Sequence, residues 1–183
     1  YRFLALSGHW TARTIRAMYR SLRRFSVPAP RVLARPALRV ALAVRGAYYI
    51  MARVFFCEPL FKAMCARYGK NVHTGPFLHW IQGSGELILG DDVTVDGKCN
   101  FFFAARYCEK PRLLIGDGTG VGHNCAFVVG KSISIGRRCR IGSSVQMFDS
   151  PGHAMEPAAR LAGRPARVED VRPINIEDNV WIG

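Results

Sequence analysis

After Gly75-Pro76 the apolar positions follow a period of six, which is neither the helical period nor simple alternation. One register runs Leu89-Gly90-Asp91-Asp92-Val93-Thr94 into Val95-Asp96-Gly97-Lys98-Cys99-Asn100 and reaches Phe101. It restarts at Ile115-Gly116-Asp117-Gly118-Thr119-Gly120 and at Ile135-Gly136-Arg137-Arg138-Cys139-Arg140, and each of these continues through a second hexad to Phe127 and Met147. A last hexad, Ile176-Glu177-Asp178-Asn179-Val180-Trp181, leads to Ile182-Gly183. Six residues are too few for a helix or a hairpin. They suit one flat side of a coil: a short strand with an aliphatic residue at position one and a small one at position five pointing inward, then a turn tolerated by Gly, Asp or Asn. Three sides make a triangular coil of about 18 residues, and stacked coils form parallel sheets that bury the aliphatic column. The expected class is mainly β, a parallel β-helix over residues 71–183.

The first 70 residues follow a different period. Ile15, Met18, Tyr19, Leu22 and Phe25 recur at helical spacing, with Arg13, Arg16, Arg20, Arg23 and Arg24 between them, which predicts a basic amphipathic helix over residues 10–25. Pro28, Pro30 and Pro36 then delay a second helix until about Ala37. That helix runs to about Cys57, apolar on most sides but interrupted by Arg39, Arg45 and Arg53, and Pro59 is expected to break or kink it. The longest charge-free run, Gly46 to Ala52, argues against a conventional transmembrane span.

Charge sharpens this division. The 183 residues carry a formal net charge of +13. Residues 1–70 hold 14 Lys and Arg against the single acid Glu58, and the remainder holds 12 of each sign. A boundary near residue 70 follows, with a basic helical segment over 1–70 and the repeat domain over 71–183. With 49% hydrophobic residues the chain has the material for a core. The apolar faces of the basic half favour an anionic membrane surface over nucleic acid. Packing onto the β-helix is the structural alternative, and an Arg-rich start also resembles a transit peptide. The chain opens at Tyr1 without Met and closes at Gly183, and is read here as a fragment.

Candidate chemistry is sparse. Cys99, Cys125 and Cys139 all stand at position five and are expected to be small core residues; with Cys57, Cys65 and Cys108 they form no CxxC pair, so free thiols are expected rather than disulfides or a metal site. The alternating Gly116, Gly118, Gly120 and Gly122 lie between hexads and mark two turns in register, not a phosphate loop. His123 is expected to point outward near a turn. The repeat is suspended between Met147 and Ile176, where Pro151, Gly152, Pro157, Gly163 and Pro165 predict an extruded loop with His153 at its start. Trp181 occupies an outward position, where a large aromatic calls for a cover, either this loop or a ligand.

Over roughly residues 77–183 these hexads resemble the left-handed parallel β-helix of hexapeptide-repeat acyltransferases. The run His153-Ala154-Met155-Glu156-Pro157-Ala158-Ala159-Arg160, with Pro173-Ile174-Asn175-Ile176-Glu177-Asp178-Asn179-Val180-Trp181-Ile182-Gly183, resembles the galactoside and maltose O-acetyltransferase branch. Ala154 and Glu156 depart mildly from that branch's Pro and Asp. The resemblance implies an acetyl-CoA-dependent O-acetyltransferase acting on a sugar or lipid-linked glycan, without a metal. His153 becomes the general base, Trp181 a cofactor contact, and Asn124, Met155 and Glu156 acceptor contacts. Ala126 stands where sugar-acetylating members often carry an acceptor-binding Asn, which disfavours a simple sugar. The resemblance also implies a homotrimer with sites shared between neighbours, and a cytoplasmic protein, peripheral on the inner face of a membrane if its basic half binds there.

Two other readings compete. A non-catalytic trimeric scaffold would have the same hexads, and acetyl-CoA turnover would separate it from an enzyme. The γ-type carbonic anhydrases resemble the same coil but need three histidines for zinc, whereas the repeats offer only His123 and His153.

Overall fold

A computed structural model describes residues 7–183. Residues 1–6, the start of the predicted basic segment, lie outside the described residues. The chain divides into two compact units, Tyr1–Val44 and Arg45–Gly183. The charge boundary near residue 70 therefore marks composition, while the unit that contains the repeats begins earlier, at Arg45.

In the first unit, helix α1 (Trp10–Arg24) forms where the periodicity predicts it. His9 caps it through its ring nitrogen, and Arg23 and Arg24 in its last turn complement the helix dipole. Helix α2 (Arg31–Ala52) starts six residues before the expected position and contains Pro36. Pro36 lies in the second turn, where its missing amide costs the helix the one bond that the Val32 carbonyl would accept, and the helix continues through it. Nor does Pro59 stop the helix. A π-helical turn, Arg53–Cys57, precedes it, with the Glu58 amide donating to the Arg53 carbonyl, and helix α3 (Glu58–Met64) continues with Pro59 in its first turn. Widening the ladder just before a proline leaves room for its ring. The result is one helix of 34 residues, Arg31–Met64, long and apolar enough to cross a membrane by length and composition, where the short charge-free run argued against a span.

In the second unit thirteen short strands form three parallel sheets. The first is β1 (His73–Thr74), β4 (Thr94–Val95), β7 (Gly120–Val121), β10 (Arg140–Ile141) and β13 (Trp181–Ile182). The second is β2 (Trp80–Gly83), β5 (Asn100–Phe103), β8 (Ala126–Val129) and β11 (Gln146–Phe148), and the third is β3 (Glu86–Leu89), β6 (Arg112–Ile115), β9 (Ser132–Ile135) and β12 (Ile174–Ile176). This is a β-solenoid of about three turns, as the hexads predict. Leu87, Leu113 and Ile133 line one inner wall, Val95 and Val121 another, and Phe101 stacks on Phe127 on the third, rings 5.4 Å apart and nearly parallel. Phe61 of α3 packs on Phe101 and closes the open end of this column.

Each hexad position has a physical reason. Position four is left-handed throughout, with Asp92, Asn124 and Asn179 at φ 56°, 60° and 62°. Lys98, Arg138 and Ser144 adopt the same conformation at some strain. Position two is the point of closest approach between coils: a Cβ on Gly116 would lie 2.8 Å from the Gly136 carbonyl carbon, and one on Gly122 2.6 Å from the Ser143 nitrogen. Position five holds weak donors aimed at the next coil's position two. The Cys99, Cys125 and Cys139 thiols donate to the carbonyls of Gly122, Gly142 and Glu177 at 3.3, 3.1 and 3.1 Å, and the Thr119 hydroxyl donates to Gly136 at 2.8 Å. All six cysteines are free. The hydrogen bond with Cys125, together with burial, pushes the Cys99 thiol up, which keeps it protonated and able to donate.

One inward histidine escaped the repeat count. An extra residue between Thr74 and Trp80 places His79 among the inner residues of the first coil, with its ring between Phe61 and Phe101. Its Nε2 hydrogen-bonds the Thr74 hydroxyl, and its Nδ1 is buried without a partner among the described residues. Burial lowers its pKa from 6.5 to about 4, so folding holds it neutral. Stability is therefore constant above pH 6.5, declines as the unfolded chain takes up a proton between 6.5 and about 4, and levels off below. The decline amounts to about 3 kcal/mol at ~1.36 kcal/mol per pKa unit. Urea unfolding as a function of pH is expected to show this acid limb in the wild type and a flattened one in His79→Leu.

Candidate active site

The coils exceed 18 residues because, apart from the one extra residue before Trp80, their additional residues are ejected at one corner, between the second sheet and the third. Ser84-Gly85, 104–111, Gly130-Lys131 and 149–173 all leave there. The last is the predicted extruded loop. It is anchored by Asp149, a buried carboxylate at its root that accepts from the amides of Gly130 at 2.5 Å and Lys131 at 2.7 Å. The Asp149 carbonyl accepts from the Arg172 amide, which closes the neck of the loop.

Beneath it lies a small second core. Tyr107, from the 104–111 excursion, packs with Ala166 and Val171 of the loop. Gly130 lies between them, and a Cβ there would stand 2.8 Å from Val171 Cγ1 and 3.0 Å from Tyr107 Cδ2. The glycine thus lets two insertions from different coils touch. Lys131 Nζ also donates to the Val168 carbonyl at 2.8 Å. Among the described residues the Tyr107 hydroxyl has no hydrogen-bond partner. Asp149, Gly130 and Tyr107 were absent from the expected site, although an interrupted repeat at 104–111 marks the second insertion in the sequence itself.

The run around His153 is a folded turn. Glu156 caps helix α4 (Pro157–Leu161), accepting from the amides of Ala158 at 3.1 Å and Ala159 at 2.6 Å. Arg160 reaches back from α4 to the carbonyls of Ala154 and Met155 at 3.4 and 3.3 Å. Ala154 is buried beneath, and its amide donates to the Arg164 carbonyl. His153 stands exposed on this platform with Nδ1 3.3 Å from the Ala154 carbonyl. With Nδ1 as the donor to that carbonyl, Nε2 carries the lone pair. Such a nitrogen can accept a proton from a bound hydroxyl.

The other expected site residues are distributed differently. Met155 is exposed beside His153, but both Glu156 oxygens are occupied by the helix cap rather than free for an acceptor. Asn124 lies at the turn between β7 and β8 and donates to Ser144 Oγ at 3.3 Å. His123 beside it is half-buried, its ring edge-on to Phe77. Trp181 is 81% exposed on β13, next to Arg140 in register, so the loop does not cover it. Its sheet forms a different side of the coil from the corner that carries His153, and one chain does not bring the two together. A groove of about 430 Å³ lies elsewhere, beside β3 and β6, where Asp117 and Arg137 pair at 3.6 Å. Among the described residues no group of three potential ligands is placed to hold a metal ion.

No family model matches the chain, and no solved structure matches it. A protein of Schizosaccharomyces pombe described as "Putative acetyltransferase C18B11.09c" is 39% identical over 61 residues, which is 33% of this chain and 27% of that protein. The chain therefore spans about a quarter of the length of the curated relative it matches. That likeness and the β-solenoid both fit a hexapeptide-repeat acyltransferase.

The loop's anchorage can be tested directly. Removing the Asp149 carboxylate strands two amides at the neck, each bond to a charged acceptor contributing about 1.5–3 kcal/mol. Asp149→Ala is expected to make trypsin cleave after Arg160 and Arg167 at least tenfold faster, with the β-helix still intact by circular dichroism. Asp149→Asn, which keeps one acceptor, is expected to fall between, and limited proteolysis followed by mass spectrometry reads all three.

Proposed function

We propose that this chain is part of an acetyl-CoA-dependent O-acetyltransferase acting on a hydroxyl of a sugar or lipid-linked glycan. The observation that carries the reading is the His153 platform: a rigid coil ejects one long loop, anchors it at Asp149, and presents an imidazole whose Nδ1 faces a carbonyl and whose Nε2 carries the lone pair. The partial likeness to an acetyltransferase supports the same class.

In this reading Nε2 of His153 takes the proton of the acceptor hydroxyl as its oxygen attacks the thioester carbonyl. The tetrahedral oxyanion then collapses, the carbon–sulfur bond breaks, and the departing thiolate recovers the proton from the imidazolium. Glu156 and Arg160 act as positioning residues, holding the turn that aims the ring. Trp181 offers an uncovered aromatic face to the cofactor. Because His153 and Trp181 lie on different sides of one coil, a single site containing both forms between neighbouring copies, and a cyclic trimer of triangular coils provides three such sites. The protein works in the cytoplasm.

His153→Ala is expected to lower acetyl transfer by about 10²–10⁴-fold, the usual contribution of a general base. His153 is exposed, so stability should change by no more than about 0.5 kcal/mol. Steady-state thiol release with acetyl-CoA and an accepted alcohol, with circular dichroism as the folding control, reads both. Full activity in a folded His153→Ala protein would leave the scaffold reading in its place.

A further inference from the structure

The long helix Arg31–Met64 is buried over only 6% of its most apolar window. No residue of α2 is buried, and Val40, Val44, Tyr48 and Ile50 are each about 60% exposed or more. A surface of this size left open to water needs an occupant.

The order of residues around the helix identifies it. At about 100° per residue, Arg31, Arg35, Arg39, Arg45 and Arg53 all fall on roughly one third of the circumference. Val40, Val44, Tyr48, Ile50, Met51 and Phe55 occupy the rest, and Leu38 and Leu42 stand among the arginines. Tyr49 lies within the arginine third, and its ring packs on Phe77 of the first coil at 5.6 Å. Within the second unit, therefore, the β-helix is on the arginine side and the broad apolar arc faces away. No acid occurs before Glu58. A spanning helix would carry Arg45 and Arg53 through the hydrocarbon, whereas one lying in the interface puts the exposed Arg31, Arg35, Arg39 and Arg45 at the phosphates and the apolar arc among the acyl chains.

We infer that Arg31–Met64 lies in the plane of an anionic bilayer, apolar arc down and arginine stripe at the headgroups, and holds the first coil of the β-helix against the membrane surface. This does not depend on the acyl-transfer reading. It replaces a general basic attraction of residues 1–70 with one helix in a defined orientation.

The test adds the full chain to preformed sealed vesicles of phosphatidylcholine with or without phosphatidylserine and measures co-sedimentation. Wild type is expected to bind at least tenfold more tightly with phosphatidylserine. A Met51→Asp, Phe55→Asp double variant is expected to lose binding to both. A triple Arg35→Gln, Arg39→Gln, Arg45→Gln variant, which leaves the apolar arc intact, is expected to lose the preference for phosphatidylserine. Circular dichroism confirms that each variant keeps its β-helix. External trypsin should cut the bound chain both in α1 and in the 149–173 loop. Wild-type binding by the double variant, an unchanged lipid preference in the triple variant, or a protected fragment retaining either region would each overturn the proposal, the last by signalling a span.

Discussion

Successive coils of this β-helix meet backbone to backbone at the second position of the hexad, and the rest of the structure depends on that approach. A side chain at Gly116 or Gly122 would collide with the main chain of the next coil, not with a movable side chain. The same closeness brings the next coil's carbonyls within reach of Cys99, Cys125, Cys139 and Thr119. At Cys99, Cys125 and Thr119 a small donor at position five meets the carbonyl of a glycine at position two. These contacts add to the apolar column and hold each coil in register over the last.

A coil fixed in this way has little freedom for insertions except at a corner, and this chain uses one corner for all but the single extra residue before Trp80. The consequence is local cooperation: the 104–111 excursion and the 149–173 loop emerge one above the other and share Tyr107, Val171 and Ala166 as a core of their own. The Asp149 carboxylate binds amides of the intervening coil, so three levels of the solenoid fix the neck from which His153 projects. The run from His153 to Arg160 reads, in physical detail, as a capped turn. Glu156 caps α4, Arg160 clamps the carbonyls, and His153 is what remains outside.

The hexads were legible because a strict period leaves a repeated mark, and the strands lie where Leu89, Ile115 and Ile135 place them. The amphipathic spacing of Ile15, Met18 and Leu22 was equally direct. Features set by tertiary contact were not. His79 was hidden by a single extra residue that shifts its phase. The roles of Tyr107, Gly130 and Asp149 exist only where two distant insertions meet. Proline misled twice, because the helix continues through Pro36 at the loss of one bond and a π turn makes room for Pro59. The thiols were expected as small core residues, and their hydrogen bonds depend on carbonyls of the next coil.

The proposed chemistry needs an imidazole and a cofactor surface, and in one chain these lie on different sides of the triangle. A shared site follows if His153 of one copy works with Trp181 of another, and mixing two disabled proteins tests this most directly. His153→Ala and Trp181→Ala proteins, each nearly inactive alone, would be unfolded and refolded together in equal amounts and assayed for acetyl transfer. Sites formed between neighbours predict recovery of about a quarter of wild-type activity, because random assembly pairs two intact contributions in that fraction of interfaces. Activity that stays at the level of the separate variants, in assemblies shown to contain both, would contradict the shared site.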